Sequence, residues 1–287
     1  MKVGIIAPQG WTGEYNGWES PRAWSRTVAV AQQAERLGFE SVWLFDHVHT
    51  TPKPTDEITF ESFTSLSALA ALTERVRLGH IVICNGFRNP ALTAKMASTL
   101  DTISGGRFEL GIGAGWKREE WNAYGYGFPE TKVRLAMLHD ALEVISRMFE
   151  PGRTMRARYD GEYASVHDAI NVPKPVQETG MPIMVGGNGP NVTWRLAARY
   201  ADELNLDGLS PEELREALPI IRGRCEEIGR EPDSLSISVH VWWGTPAWRA
   251  AGAARQELLA AYEELGLSRV IGLLQESAED DAALETL

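Results

Sequence analysis

The segment Arg75–Trp116, RVRLGHIVICNGFRNPALTAKMASTLDTISGGRFELGIGAGW, decides the fold. Val76–Ile83 is β-branched and apolar enough to be buried on both faces, as a parallel strand is. Asn89 reads as a helix N-cap, and Pro90 takes the first helical position, where its missing N–H costs nothing. Ser104-Gly105-Gly106 ends that helix. A second strand starts at Arg107 and runs into Gly111-Ile112-Gly113-Ala114-Gly115-Trp116. Each strand thus leads into a loop that is polar or stripped of side chains, which is where α/β barrels place their chemistry.

The same rhythm extends outward in both directions. Helices end in Gly before a new strand at Gly38, Gly229 and Gly266, because glycine tolerates the left-handed backbone just past a helix. Helices start at Ser20-Pro21, Asn89-Pro90, Gly189-Pro190, Ser210-Pro211 and Thr245-Pro246, and Ser210-Pro211-Glu212-Glu213 is a capping box. Eight strands follow: Val3–Ala7, Glu40–Phe45, Val76–Ile83, Phe108–Ile112, Pro182–Val185, Glu203–Leu206, Leu235–His240 and Arg269–Leu273. Helices centred on Ala29, Leu69, Ala97, Leu142, Leu196, Ile221 and Leu258 alternate with them. The expectation is α/β, a single (β/α)8 TIM barrel spanning residues 1–287 with an insertion after strand 4. That insertion comprises extra helix over Glu119–Phe149 and a polar stretch over Pro151–Val176.

The bulk numbers fit and narrow the function. The chain has 287 residues, 44% hydrophobic and 23% charged, with a net charge of −11. Such an acidic chain is a poor partner for nucleic acid or an anionic membrane surface. No apolar run approaches the roughly 18 residues of a membrane helix, and the chain passes from Met1 directly into a strand without a signal peptide. Two cysteines, Cys84 and Cys225, support neither a disulfide framework nor a zinc cluster. A cytoplasmic, metal-free protein acting on a small molecule is expected.

The strand tips are Pro8-Gln9, Asp46-His47, Cys84-Asn85, Gly113–Trp116, Gly186-Gly187-Asn188, Asn205, His240 and Gln275-Glu276. Histidine is a side chain that can donate or accept a proton, as His47 would here, and Asp46 beside it can hydrogen-bond a ligand. By placement alone, a capping Asp and a surface His account for the pair equally well. Gly186-Gly187-Asn188-Gly189 opens a helix with bare backbone amides, an arrangement that binds phosphate, although most short Gly clusters are plain turns. Trp116 either walls a flat ligand or fills a core. Glu119 and Glu120 follow by one turn, and either can face the pocket or solvent. His240, Trp242 and Trp243 form either a substrate wall or a structural aromatic cluster. With ten tryptophans, an aromatic pocket suited to a flat ligand is expected, with Gln9, Glu119, His240 and Trp242 on its substrate side. No Rossmann fingerprint, nucleophile elbow, P-loop or His-x-x-x-His pair occurs.

The motif RNPALxAKMAxTLDxxSGGRxxLGIGAGW, and nearly the whole chain from Lys2 to Leu274, resembles the luciferase-like flavin and deazaflavin oxidoreductases, in particular the branch that uses coenzyme F420. The resemblance implies that Asp46 and His47 face the deazaflavin ring, with His47 the proton donor or acceptor. It implies a non-proline cis peptide at Ile81–Val82 behind the ring, with Cys84, Gly113 and Trp116 around it and Gly186, Gly187, Asn188 and Gly189 on the cofactor phosphate. It further implies a homodimer. Sugar-phosphate-oxidising relatives carry Glu where this chain has Trp116, which points instead to reduction of an activated C=C or C=N bond. A reduced-FMN monooxygenase on the same fold, a non-catalytic flavin-binding protein and a metal-dependent barrel hydrolase are the alternatives.

Overall fold

Residues 1–152 and 154–286 are described by the structure, a computed structural model. Arg153, inside the expected insertion, and Leu287, at the end of the expected domain, lie outside the described residues. Among the described residues eleven strands occur in the order β1 (Lys2–Ile6), β2 (Ser41–Leu44), β3 (Arg77–His80), β4 (Ile83–Cys84), β5 (Phe108–Gly113), β6 (Arg156–Asp160), β7 (Ser165–Ile170), β8 (Ile183–Gly186), β9 (Glu203–Asp207), β10 (Ser236–Val241) and β11 (Arg269–Leu273). All but β6 and β7 join one sheet in the order β3-β2-β1-β11-β10-β9-β8-β5-β4, closed by a further β3–β5 pairing. Every pairing around the ring is parallel, from Val3 opposite Val270 to Leu110 opposite Ile183. Because β3 and β4 are two pieces of one stave, the sheet is the expected eight-stave barrel.

The third stave departs from the sequence expectation of one continuous strand. It breaks at Ile81–Val82, where the peptide bond is cis. The helices follow their caps closely. Helix α1 (Ser20–Leu37) stops at Gly38, which sits at φ 86°. After α2 (Ser62–Leu72), helix α3 (Pro90–Ser104) starts where Asn89 Oδ1 accepts the Ala91 amide at 2.9 Å. The expected extra helix is two pieces, α4 (Arg118–Ala123) and α5 (Thr131–Phe149). Helix α6 (Thr193–Tyr200) precedes α7 (Pro211–Glu226), which carries the expected capping box on Ser210. The polar insertion contains an antiparallel hairpin, β6 with β7, laid against α5.

Two layers fill the barrel lumen. The upper one is apolar and aromatic: Ile6, Trp11, Phe45, Ile81, Met184, Ile271 and Leu273. The lower one is built on Trp43, whose ring lies where a Cβ on Gly79 would sit, so that stave position admits glycine only. Below it Arg269 reaches Glu109 at 2.9 Å and Glu203 at 3.4 Å, and Arg77 also pairs with Glu109. Charges this deep are tolerated because they answer one another. Above this packed floor a cavity opens at the C-terminal strand ends. Among the described residues no helix is long and apolar enough to cross a membrane.

Candidate active site

A cavity of about 460 Å3 opens at those strand ends, within the roughly 300–1,000 Å3 usual for small-molecule sites. Its walls come from the tips of β2, β4, β5, β8, β9 and β10, from Trp11 after β1, and from the first turns of α4 and α5. No group of His, Cys, Asp and Glu poised to hold a metal occurs among the described residues.

Asp46 and His47 leave β2 in opposite directions and do different work. The Asp46 carboxylate is fully committed to the protein. Arg88 grips both of its oxygens, at 2.7 and 2.8 Å, the Ser62 hydroxyl donates at 2.7 Å and the Cys84 amide at 2.8 Å. Burial alone would raise this carboxyl, but the Arg88 guanidinium outweighs it and holds the group below the usual carboxylate range. Asp46 therefore ties β2, β4 and α2 together under the cavity, and its cofactor contact is confined to what those four bonds leave. Cys84 is a buried thiol pushed up to about 12 by that burial, so it is a packing group rather than a nucleophile.

His47 turns toward the cavity. Its ring stacks on Trp11, 3.9 Å between centroids and 5° from parallel, and meets Trp116 edge-on at 5.8 Å. Its Nδ1 lies 2.7 Å from Oε2 of Glu120, whose other oxygen accepts the Val48 amide at 3.1 Å. With Nδ1 donating to the carboxylate, Nε2 is the nitrogen free for a ligand. Glu120 is the acid that faces the pocket. Glu119, which the sequence reading assigned to it, is exposed, because α4 turns position 120 inward and 119 outward. Trp116 stands at the cavity rim, 61% exposed.

Glycines shape the wall opposite. An added Cβ on Gly113 or on Gly186 would approach Val82 Cγ2 to 2.9 Å. Those two glycines make room for the Val82 side chain at the cis peptide, rather than chiefly for a ligand. The Gly186–Gly189 loop does line the cavity, but it does not open a helix directly: α6 begins at Thr193, three residues beyond Pro190. Two of its donors are also already used. The Gly187 amide bonds Asn205 O at 3.0 Å, and the Asn188 side chain clasps both backbone groups of Asp207, at 2.7 and 2.9 Å. The amides of Asn188 and Gly189 and the Thr193 hydroxyl remain at that wall.

On the β9–β10 side, His240 Nδ1 lies 3.0 Å from Asp207 Oδ1, its Nε2 is buried without a partner among the described residues, and the Trp242 ring packs 5.1 Å away. Gln9 is not in the cavity wall. It is 1% exposed, and its amide clasps the Phe45 backbone and Phe60 O, which pins the tips of β1 and β2 together. His80 is packed between Phe63 and Phe108, and neither ring nitrogen has a partner among the described residues. Burial pushes it down to about 3, so it is a neutral core residue. Sequence reasoning missed Lys117, Arg134, Thr131 and Asp207, all of which line the cavity. Only the helical phase of α4 and α5 could have brought the first three forward.

Known proteins share this fold. The family model for luciferase-like monooxygenases matches residues 1–283. F420-dependent glucose-6-phosphate dehydrogenase of Kineococcus radiotolerans is 34% identical over 74% of this chain and 61% of its own length. The chain thus spans about three fifths of that relative. 5,10-methylenetetrahydromethanopterin reductase of Methanopyrus kandleri is 26% identical over 90% of this chain and 74% of the reductase. A solved F420-dependent secondary alcohol dehydrogenase, in complex with an F420–acetone adduct, superposes with a TM-score of 0.79 at 19% identity, covering 99% of this chain and 98% of the other. The chain belongs to the luciferase-like monooxygenase family.

Proposed function

We propose that the protein is an oxidoreductase that exchanges a hydride between coenzyme F420 and a small planar organic substrate, with reduction of an activated C=C or C=N bond its productive direction. The observation that carries this reading is the His47–Glu120 pair at 2.7 Å, facing an aromatic cavity with one imidazole nitrogen free. F420-linked names among the relatives support the choice of cofactor.

The residues present fit a deazaflavin. Gly113–Gly115 and Gly186–Gly189 expose backbone along the cavity wall, Val82 packs against those glycines, and Trp116 offers a flat, exposed ring at the rim. The amides of Asn188 and Gly189, with Thr193, would hold a phosphate at the β8 tip. When bound, the cofactor supplies or accepts the hydride, and the protein provides position and proton. His47 Nε2 delivers the balancing proton to the substrate atom adjacent to the reduced carbon. Glu120 keeps Nδ1 as the donor and steadies the charged imidazolium. Trp11 and Trp116 exclude water from the reacting face.

The experiment is turnover of reduced F420 against a panel of cyclic enones and imines, with oxidised F420 against secondary alcohols in parallel. The reading expects turnover with the unsaturated compounds that disappears in His47→Ala. Oxidation of alcohols alone would overturn the assigned direction.

A further inference from the structure

The cavity wall holds one cation that the protein itself leaves unanswered. Lys117 is 5% exposed, yet its Nζ has no hydrogen-bond partner among the described residues. The other buried basic side chains differ in this respect. Arg134 donates to the carbonyls of Gly115 and Pro129, Arg255 to the carbonyl of Trp248, and Arg269 to Glu109. Glu120, the carboxylate that shares the wall with Lys117, spends its oxygens on His47 and Val48. Glu119 points outward.

A buried ammonium without an acceptor is costly, and burial pushes its proton affinity down. Trp11 and Trp116 compensate in part through their π faces, with Nζ 5.5 and 6.0 Å from the ring centroids. Glu120 and Glu119 attract the ammonium only across space; what Nζ lacks among the described residues is an acceptor within hydrogen-bonding distance. Trp11 is also the ring on which His47 stacks, so Lys117 and the proton donor are built on the same side chain and line the same cavity. The loop with free phosphate-binding amides, Gly186–Gly189, belongs instead to the β8–β9 side of the cavity.

We propose that Lys117 is the substrate anchor: its ammonium receives the carboxylate of a small planar organic acid and holds the rest of that molecule in the cavity that His47 faces. The inference rests on the hydride-exchange reading for the word substrate, and it gives that substrate a charge. It also accounts for how a chain of net charge −11 takes an anionic ligand, since the attraction is local and desolvated rather than long-range.

The same oxyanion chemistry has two sources, a substrate carboxylate or the cofactor's phosphate tail, and the test separates them. The full chain, free of cofactor, is titrated with benzoate and with its neutral isostere benzamide, following quenching of the pocket tryptophans. Wild type, Lys117→Met and Lys117→Arg are compared. The expected result is a preference of wild type for benzoate of about tenfold or more, the size of a net charge-assisted hydrogen bond. That preference is lost in Lys117→Met and largely kept in Lys117→Arg, while Lys117→Met melts at or above the wild-type temperature. Equal or absent binding of the two probes by wild type overturns the proposal, as does a benzoate preference that survives in Lys117→Met.

A second arm titrates F420 and the same deazaflavin lacking its phosphate tail. If Lys117→Met weakens F420 but neither the tail-less deazaflavin nor benzoate, the lysine serves the cofactor and the substrate anchor is wrong. If wild type discriminates benzoate but binds no F420, the anchor stands and the cofactor reading falls.

Discussion

His47 Nδ1 and Glu120 Oε2 are 2.7 Å apart although 73 positions separate the residues in sequence. The bond joins the tip of β2 to the first turn of α4 and gives the cavity an imidazole of fixed orientation. If the pair acts as a unit, the two residues cannot be removed independently.

The first prediction follows from that coupling. His47→Ala should lower kcat by about 10²- to 10⁴-fold, the range for loss of a general acid, with F420 affinity changed only a few-fold. Glu120→Gln should lower kcat with KM nearly unchanged. The double variant should be no slower than His47→Ala alone. A double-mutant cycle in steady-state kinetics checks this, and additive losses would show that Glu120 acts elsewhere.

The Asp46–Arg88 pair predicts a stability effect. Arg88→Met leaves the Asp46 carboxylate buried with only the Ser62 hydroxyl and the Cys84 amide, and breaking such a pair costs about 3–5 kcal/mol. Asp46→Asn with Arg88 intact should cost less, because Arg88 keeps Glu61 at 2.8 Å. Since the folded-state carboxyl is held low, its stabilisation is present above the ordinary carboxylate range and is lost as pH falls through the depressed value. Denaturant titrations of both variants at neutral and acidic pH test the ordering.

Glu203 predicts the opposite pH sign. Burial pushes its carboxyl up from 4.5 to about 7. The folded chain keeps a proton that the unfolded chain releases, so this residue's contribution to stability falls as pH rises from 4.5 to about 7. Glu203→Gln should melt above wild type near pH 8, where about 1 kcal/mol moves Tm by roughly 2–4 °C in a chain of this size. The difference should shrink toward pH 5 or so, where wild type is already protonated. A constant offset in melting temperature across that range would contradict the assignment.

The glycine wall predicts a packing effect. Gly113→Ala and Gly186→Ala each bring a methyl within 2.9 Å of Val82 Cγ2, an overpacking that costs about 1–3 kcal/mol. Both should lower the melting temperature and weaken cofactor binding together, because Val82 can yield only toward the cavity. Calorimetry and a binding titration on the same preparations would show whether the two losses track each other.

Much of this was legible in the sequence because it is locally encoded. The run Val76–Ile83, the cap Asn89-Pro90 and the stops at Gly38 and Gly105 act over a few residues each, and the barrel follows from their repetition. The site was legible only to the depth of the strand tips. His47 was placed at a strand end, but whether Glu119 or Glu120 faces it depends on the phase of a six-residue helix, too short to display a period. Pro190 marks a turn, not a helix start, because the chain first latches Asn188 onto Asp207. Gln9 is polar at a strand tip, yet it is consumed by the Phe45 backbone. Lys117 reads as an ordinary solvated lysine until the fold buries it. For His47, Asn188 and Gln9 the deciding partner is 19 to 73 positions away in the chain.

The central claim is that the cavity beside His47 is built for a deazaflavin. The most direct measurement is a pair of titrations of the purified chain with oxidised F420 and with FMN, followed by fluorescence quenching. The account predicts tight, saturable F420 binding and FMN binding weaker by at least about tenfold, a difference of roughly 1.4 kcal/mol. Binding of FMN in preference to F420 would contradict it and assign the cavity to flavin chemistry.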